Sequence, residues 1–346
     1  MEIIKKIHTQ RGAKLNIKGG ADKIFGNALP SPTFSINPDD FFGSIPKLLK
    51  KEGEKIAAGE SLFFSKNDPQ IKFVSPVSGV VQTIQRGARR KIEKIIIAAD
   101  GTDKSVTHKV ENWEKLDREG LKSLLLESGN WPFIHQRPYG TLANPTDTPK
   151  AIFVSTFKTC PLSPDYSFIL NDERESFQAG IDVLNSMVDQ KVFLGTDASF
   201  AGMFGDIKDV QHYTIAGPHP AGNLSLHIQE LAPLNMGDRV WTVNPEDVVN
   251  IGRFMNSGKF SSSRTVAVTG NAIEKAHYIR TRLGAEIQPI LDYFTPKSSQ
   301  FRVINGDVLT GTSVSEAGHL GYYNNQLTVI PEGNTYRMFG RLPFKD

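Results

Sequence analysis

Lys47-Leu-Leu-Lys-Lys-Glu-Gly-Glu-Lys-Ile-Ala-Ala-Gly-Glu-Ser-Leu-Phe-Phe64 and, a short way on, Val74-Ser-Pro-Val-Ser-Gly-Val-Val81 say more about the fold than any other part of the chain. Gly53 and Gly59 stand at turn positions between short apolar runs, and Pro76 with Gly79 turns the chain between Phe73-Val74 and Val80-Val81. Apolar runs this short, separated by turn residues this often, read as closely spaced hairpins. From Lys47 to Asp100 the pattern predicts a small flattened β-barrel.

That pattern is similar to the biotinyl/lipoyl carriers, in which a lysine at a hairpin tip bears the prosthetic group. The nearest candidate here is Lys66, in Ser65-Lys66-Asn67-Asp68. Its neighbours form neither a Met-Lys-Met nor an Asp-Lys-Ala tip, so the architecture is expected without the attachment chemistry, in a docking or scaffolding use.

The remainder of the chain changes character. Its 346 residues exceed one ordinary core, and the charged and apolar fractions, 22% and 39%, are those of a globular protein. Asp117 to Gly129 has an acidic start, leucines at 121, 124 and 125 and a closing glycine, which predicts an amphipathic helix. A loop rich in Pro and Thr follows, from Arg137 to Pro149. Then Ala151-Ile-Phe-Val-Ser, Lys191-Val-Phe-Leu-Gly and His212-Tyr-Thr-Ile-Ala-Gly read as strands, and Glu173 to Gln190 as a helix. Asn244 is the expected N-cap of another helix, with Pro245 in its first turn. Strands alternating with helices predict an open, Rossmann-like α/β domain.

From about Arg264 short strands dominate: Thr265 to Thr269, Glu286 to Ile290, Phe301 to Asn305, Asp307 to Thr310 and Gln326 to Ile330, with one helix between Ala272 and Leu283. That order fits a β-grasp unit. The expected divisions are 1–105 for the N-terminal strands and barrel, 106–150 for a helix and linker, 151–262 for the α/β domain, 263–340 for the β-grasp domain, and 341–346 for the start of a truncated C-terminal region.

Several chemistries can be tested on the residues. A net charge of +3 gives no argument for nucleic acid, and the basic run Arg86, Arg89, Arg90, Lys91, Lys94 reads as a solvated hairpin loop. No apolar run reaches the length of a membrane-spanning helix, and the N-terminus lacks the pattern of a secretory signal, which points to the cytoplasm. Gly195-Thr-Asp-Ala-Ser-Phe-Ala-Gly202-Met-Phe-Gly205 has the wrong spacing for a dinucleotide loop, and neither a Walker sequence nor a Gly-x-Ser-x-Gly elbow occurs. Cys160, the only cysteine, reads as a small buried hydrophobe and leaves no cysteine set for an iron–sulfur cluster. The eight histidines form no pair spaced for a metal on one helix face.

One segment stands out as a candidate site: Gly217, Pro218, His219, Pro220, Ala221 and Gly222. Two prolines stiffen it, its glycines permit close backbone approach, and it follows a strand at the end where open α/β sheets place ligands. A ligand rim and a rigid interdomain turn fit these residues equally well.

Five blocks in order resemble the A subunit of the bacterial Na+-translocating NADH:quinone reductases. They are Lys51-Glu-Gly-Glu-Lys with Ser75-Pro-Val-Ser-Gly-Val-Val, Leu126-Glu-Ser-Gly-Asn-Trp-Pro-Phe with Arg137-Pro, Gly217-Pro-His-Pro-Ala-Gly, Val240-Trp-Thr-Val-Asn with Asp247-Val, and Asn324-Asn-Gln-Leu-Thr-Val-Ile-Pro-Glu-Gly. The resemblance implies a barrel-sandwich domain, a Rossmann-like domain related to the flavin-binding subunit of respiratory complex I, and a soluble-ligand-binding β-grasp domain. It further implies a peripheral subunit on the cytoplasmic face of the bacterial inner membrane, in a complex that passes electrons from NADH to ubiquinone or menaquinone and exports Na+. This chain would serve assembly and quinone binding, at a site first sought at Gly217 to Gly222, with NADH, flavins and the iron–sulfur centre held by partner subunits. Both the Gly-rich flavin loop of the complex I relatives and the iron–sulfur cysteines of the related Rnf protein are missing. The rival expectations are a stand-alone carrier modified at Lys66, a small-ligand-binding protein using the β-grasp unit, and a flavoprotein dehydrogenase.

Overall fold

The computed structural model describes residues 2–27, 29–198 and 202–333; the region expected at 341–346 and the end of the one expected at 263–340 lie outside them. Two N-terminal strands, β1 (Ile3–His8) and β2 (Asp22–Phe25), stand outside the barrel. β1 pairs in parallel with residues 212–216, and β2 with residues 277–278, so the first 25 residues tie together the two sheets that follow.

The hairpin segment folds as expected. β3 (Thr33–Ile36), β5 (Lys55–Ile56), β8 (Gly79–Arg86) and β9 (Ile92–Ala99) form one antiparallel sheet in the order β3-β9-β8-β5. β4 (Pro46–Leu48), β6 (Ser61–Ser65) and β7 (Lys72–Val74) form the other, in the order β4-β6-β7. Alternation sends Ile36, Phe63, Phe73, Val81, Ile95 and Ile97 into the core, where Phe63 stacks on Phe73 at 4.5 Å.

Next, α1 (Arg118–Glu127) starts at Asp117, whose side chain accepts from the Gly120 N–H. The stretch read as a linker supplies two strands, β10 (Ile134–Arg137) and β11 (Thr141–Leu142). Then come β12 (Ala151–Ser155), α2 (Tyr166–Ile169), α3 (Arg174–Ser186), β13 (Val192–Asp197), β14 (Val210–Ala216), α4 (Leu224–Leu231), β15 (Val240–Val243) and α5 (Pro245–Ser257). The sheet order is β1-β14-β13-β12-β15-β10-β11; β1 and β12 to β15 run parallel, and β10 pairs antiparallel with both β15 and β11. α3 and α5 cross closely because glycines meet there: a Cβ on Gly252 would stand 1.7 Å from the Ser176 carbonyl oxygen.

The last part departs from expectation in three places. β16 (Ser263–Thr269) is followed by β17 (His277–Arg282), a strand where a helix was expected; the run His-Tyr-Ile-Arg-Thr-Arg is rich in aromatic and β-branched residues and pairs along β16. The helix is α6 (Gln288–Phe294), where a strand was expected, with Pro289 in its first turn. The expected strand at Asp307 to Thr310 is a turn, in which Asp307 Oδ1 accepts from the N–H groups of Leu309 (2.7 Å) and Thr310 (3.1 Å). After β18 (Phe301–Asn305), β19 (Thr312–Val314) and β20 (Gln326–Pro331), the sheet order is β19-β18-β20-β16-β17-β2, with β16 and β20 parallel. The whole is a mixed α/β protein of several domains.

Candidate functional site

The loop Gly217 to Gly222 leaves the carboxyl end of β14 and is tied down at every turn. Gly217 has φ of 139°, and a Cβ there would meet the Thr9 carbonyl oxygen at 2.4 Å, so only glycine fits beneath the segment after β1. Ala13 N–H donates to the His219 carbonyl at 2.9 Å. Thr159, from the loop after β12, accepts from Gly222 N–H at 2.9 Å and pairs with His219 Nδ1 at 3.2 Å. Beneath lies His227 of α4, fully buried, with Nε2 at 2.8 Å from the Ala221 carbonyl and Nδ1 at 3.1 Å from the Tyr213 hydroxyl. Burial lowers the His227 pKa below the usual histidine value and holds the ring neutral. The six consecutive residues form a braced, half-buried loop of apolar prolines and backbone groups.

Beside this rim, a cleft of about 460 Å³ opens at the ends of β12 and β13, lined by residues that include Thr156, Phe157, Lys158, Asp165, Tyr166 and Lys23. The Asp165 carboxylate accepts from Ser167 N–H (2.9 Å) and Phe168 N–H (3.3 Å) at the start of α2 and pairs with Lys23 Nζ at 2.6 Å, while its own N–H donates to the Tyr278 hydroxyl at 3.0 Å. The pairing raises the Lys23 pKa. Cys160 is half-buried, and burial first and then Asp307 push its thiol pKa up, which disfavours a nucleophilic thiolate.

Sequence reasoning missed the most heavily built feature, a buried charge cluster where the domains meet. Arg264 of β16, 1% exposed, reaches the first turn of α5: Nη2 donates to Asp247 Oδ1 at 2.7 Å and Nη1 to Glu246 Oε2 at 3.2 Å. Arg264 also donates to the Tyr322 carbonyl at 3.3 Å, and Glu246 accepts from Thr265 N–H at 2.5 Å. Burial raises both carboxyl pKa values, against the opposing pull of the guanidinium. Alongside, Tyr166 donates to Asn244 Oδ1 at 2.9 Å and accepts from Asn325 at 2.8 Å. Rings from three parts of the chain close over the cluster: Phe41 lies 4.8 Å from Tyr322, and His135 lies 4.5 Å from Tyr323. Burial, aided by Arg137, brings the His135 pKa down to about 4. The one available signal was Glu246-Asp247 at a helix start, which reads locally as complementing the helix dipole and says nothing of Arg264.

A helix N-terminus can receive a phosphate when its N–H groups are free. Asp165 caps α2, Asn244 caps α5, and Glu246 and Asp247 fill the first turn of α5, whereas α4, which follows the rim, has no side-chain cap and no acid in its first turn. Among the described residues, no group of three or more His, Cys, Asp or Glu side chains is placed to hold a metal ion. Lys66 is exposed at the turn between β6 and β7, where its N–H donates to the Ile45 carbonyl at 2.7 Å.

Three family profiles match in series: the NqrA N-terminal barrel-sandwich hybrid domain at residues 7–100, the NqrA second alpha/beta domain at 116–260, and the NQRA C-terminal domain at 265–316. The chain is 31% identical over 340 residues to the A subunit of the Na(+)-translocating NADH-quinone reductase of Vibrio vulnificus strain YJ016, covering 96% of this chain and 75% of that one. The corresponding protein of Neisseria gonorrhoeae strain ATCC 700825 / FA 1090 is 30% identical, covering 96% of this chain and 75% of its own length. That of Rhodopirellula baltica is 34% identical, covering 87% and 67%.

Proposed function

Because this chain belongs to the NqrA family, the A subunit of the Na(+)-translocating NADH-quinone reductase, we propose that it works in that enzyme as a peripheral subunit on the cytoplasmic face of the bacterial inner membrane, in assembly and quinone binding, with no redox centre of its own. The observation that carries the reading is the collinear match over 96% of the chain, with the three family domains in order. Among the described residues no helix is long and apolar enough to cross a membrane, which agrees with a peripheral place.

In this reading NADH, the flavins and the iron–sulfur centre reside in partner subunits. Support comes from the carboxylates at the N-termini of α2 and α5, which would repel a nucleotide phosphate at those two helices. The parallel strands β12, β13, β14 and β15 with their crossover helices support a Rossmann-like domain. The antiparallel pair β16–β17, with β20 set parallel to β16 at the centre of the sheet, supports a β-grasp domain.

For a quinone, a neutral ring with two carbonyl acceptors, the rim Gly217 to Gly222 offers apolar prolines, and His219 and Thr159 are its nearest polar side chains. The test is affinity purification of the full chain from native membranes. Recovery of apolar partner subunits with Na+-stimulated NADH:quinone activity is expected. Recovery of the chain alone from membranes that contain the enzyme overturns the proposal.

A further inference from the structure

The β4 edge of the barrel presents an amphipathic face. Ile45, Lys47 and Leu49 alternate outward along it, with Ile45 51% and Leu49 49% exposed. Lys47 lies opposite Phe64 in the register, and its ammonium stands 5.5 Å over that ring. The face runs into a cleft of about 710 Å³ whose walls are Leu48, Leu49 and Ile84 and whose rim includes Lys50, Lys51 and Arg86.

The charges on this face are arranged unequally. Glu52 Oε1 accepts from the Ile84 N–H at 2.6 Å, Glu54 Oε2 accepts from the Lys51 N–H at 3.0 Å, and Glu60 pairs with Lys50 at 2.5 Å. Glu60 is neutralised by Lys50, and Glu52 and Glu54 are held against the barrel by backbone N–H groups with their charges retained. By contrast, none of Lys47, Lys51 and Arg86 forms an ion pair among the described residues. Exposed aliphatic side chains interleaved with unpaired cations match the interface of an anionic bilayer, where headgroup phosphates meet the cations and the acyl boundary takes the apolar tips.

We propose that the outward face of β4, with Ile45, Lys47, Leu49, Lys51 and Arg86, rests on anionic phospholipid. The proposal builds on the peripheral-subunit reading and supplies the surface by which the chain meets the membrane beside its protein partners.

The test is flotation of the purified full chain with vesicles of phosphatidylcholine alone or mixed with phosphatidylglycerol. Partition onto the mixed vesicles only is expected, weakening as NaCl is raised. Replacing the three cations together (Lys47→Gln, Lys51→Gln, Arg86→Gln) should lower the partition on the order of a hundredfold. Leu49→Ser should lower it less, with unchanged melting for both variants. Equal partition onto both vesicle types, or none with a folded chain, overturns the proposal. So does binding to polyglutamate without partition, which assigns the face to an acidic polypeptide. Copurification separates this outcome from the family reading: the triple variant should still be recovered with the apolar partner subunits, whereas loss of those partners from the unsubstituted chain, with vesicle binding intact, refutes only the place proposed for it in the enzyme.

Discussion

The carboxylate of Asp40 accepts a hydrogen bond from the backbone N–H of Tyr322 at 2.9 Å, joining the loop before β4 to the turn before β20. The Tyr322 carbonyl in turn accepts from Arg264, which also holds Glu246 and Asp247 of α5, so the barrel, the α/β domain and the last sheet are linked through Tyr322 and Arg264. Residues distant in sequence carry the domain arrangement here, and the charges among them set its response to pH and substitution.

Burial raises the Asp40 pKa from the ordinary 3.8 to about 6, against the hydrogen bond from Tyr322, which lowers it. A carboxyl whose folded pKa lies above its unfolded one binds its proton more tightly when folded. Its stabilising contribution is therefore complete below the ordinary value and lost as pH rises through about 6. Asp40→Asn keeps an oxygen acceptor for Tyr322 and removes the charge. It should stabilise the protein by about 2–3 kcal/mol at pH 8 and by little at pH 4. Denaturant melts across that range decide the matter; a difference independent of pH would refute the assignment to Asp40.

Arg264 faces two carboxylates in a site with almost no water access. Removing the guanidinium leaves both acids uncompensated, so Arg264→Met should cost about 3–5 kcal/mol. Neutralising the acids as well, with Glu246→Gln and Asp247→Asn, should recover much of that loss, because the unpaired charge is the expensive element. Thermal melts of the single and triple variants measure the coupling. A triple variant no better than Arg264→Met would mean that packing, and not charge, holds the junction.

What could be read from the sequence was what neighbours along the chain determine. The barrel hairpins, the Asn244–Pro245 helix start and the position of Gly217 to Gly222 after a strand each depend on a few adjacent residues, and each lies where it was expected. β1 alternates in burial like a strand, yet the sheet it joins is decided by His212 to Ala216, some two hundred residues away. The misread helix and strand around Ala272 to Ile290 share one cause: runs this short fit both periods, and pairing with β16 settles the first as a strand. The junction of Asp40, Arg264 and Tyr322 had no local signature at all, since its partners lie far apart along the chain, in the barrel and the last domain.

The crossing of α3 and α5 allows a sharper test of packing. A Cβ on Gly252 would stand 1.7 Å from the backbone oxygen of Ser176, and one on Gly180 would stand 2.1 Å from that of Val248. Backbone cannot turn aside as a side chain can, so the helices must separate. Gly252→Ala should cost about 2–3 kcal/mol, and more than Gly20→Ala, where the backbone lies outside the left-handed region and the nearest atom to the added methyl is a Leu162 methyl at 4.0 Å. Equal losses at the two positions in urea melts would contradict the close crossing.

Thr159 tests the proposed quinone rim, because its hydroxyl bridges the loop after β12 to both His219 and Gly222. Thr159→Val preserves shape and removes both hydrogen bonds, at a stability cost of about 1–2 kcal/mol. If the rim holds quinone, the assembled enzyme carrying this variant should show a KM for quinone raised by roughly tenfold, the equivalent of about 1.4 kcal/mol of lost binding. NADH oxidation by an artificial acceptor that bypasses quinone should be unchanged. His219→Gln retains a polar side chain at the rim and should fall between the two. A lowered melting temperature with an unaltered KM in both variants would leave Gly217 to Gly222 as a rigid interdomain turn and move the quinone contact elsewhere in the enzyme.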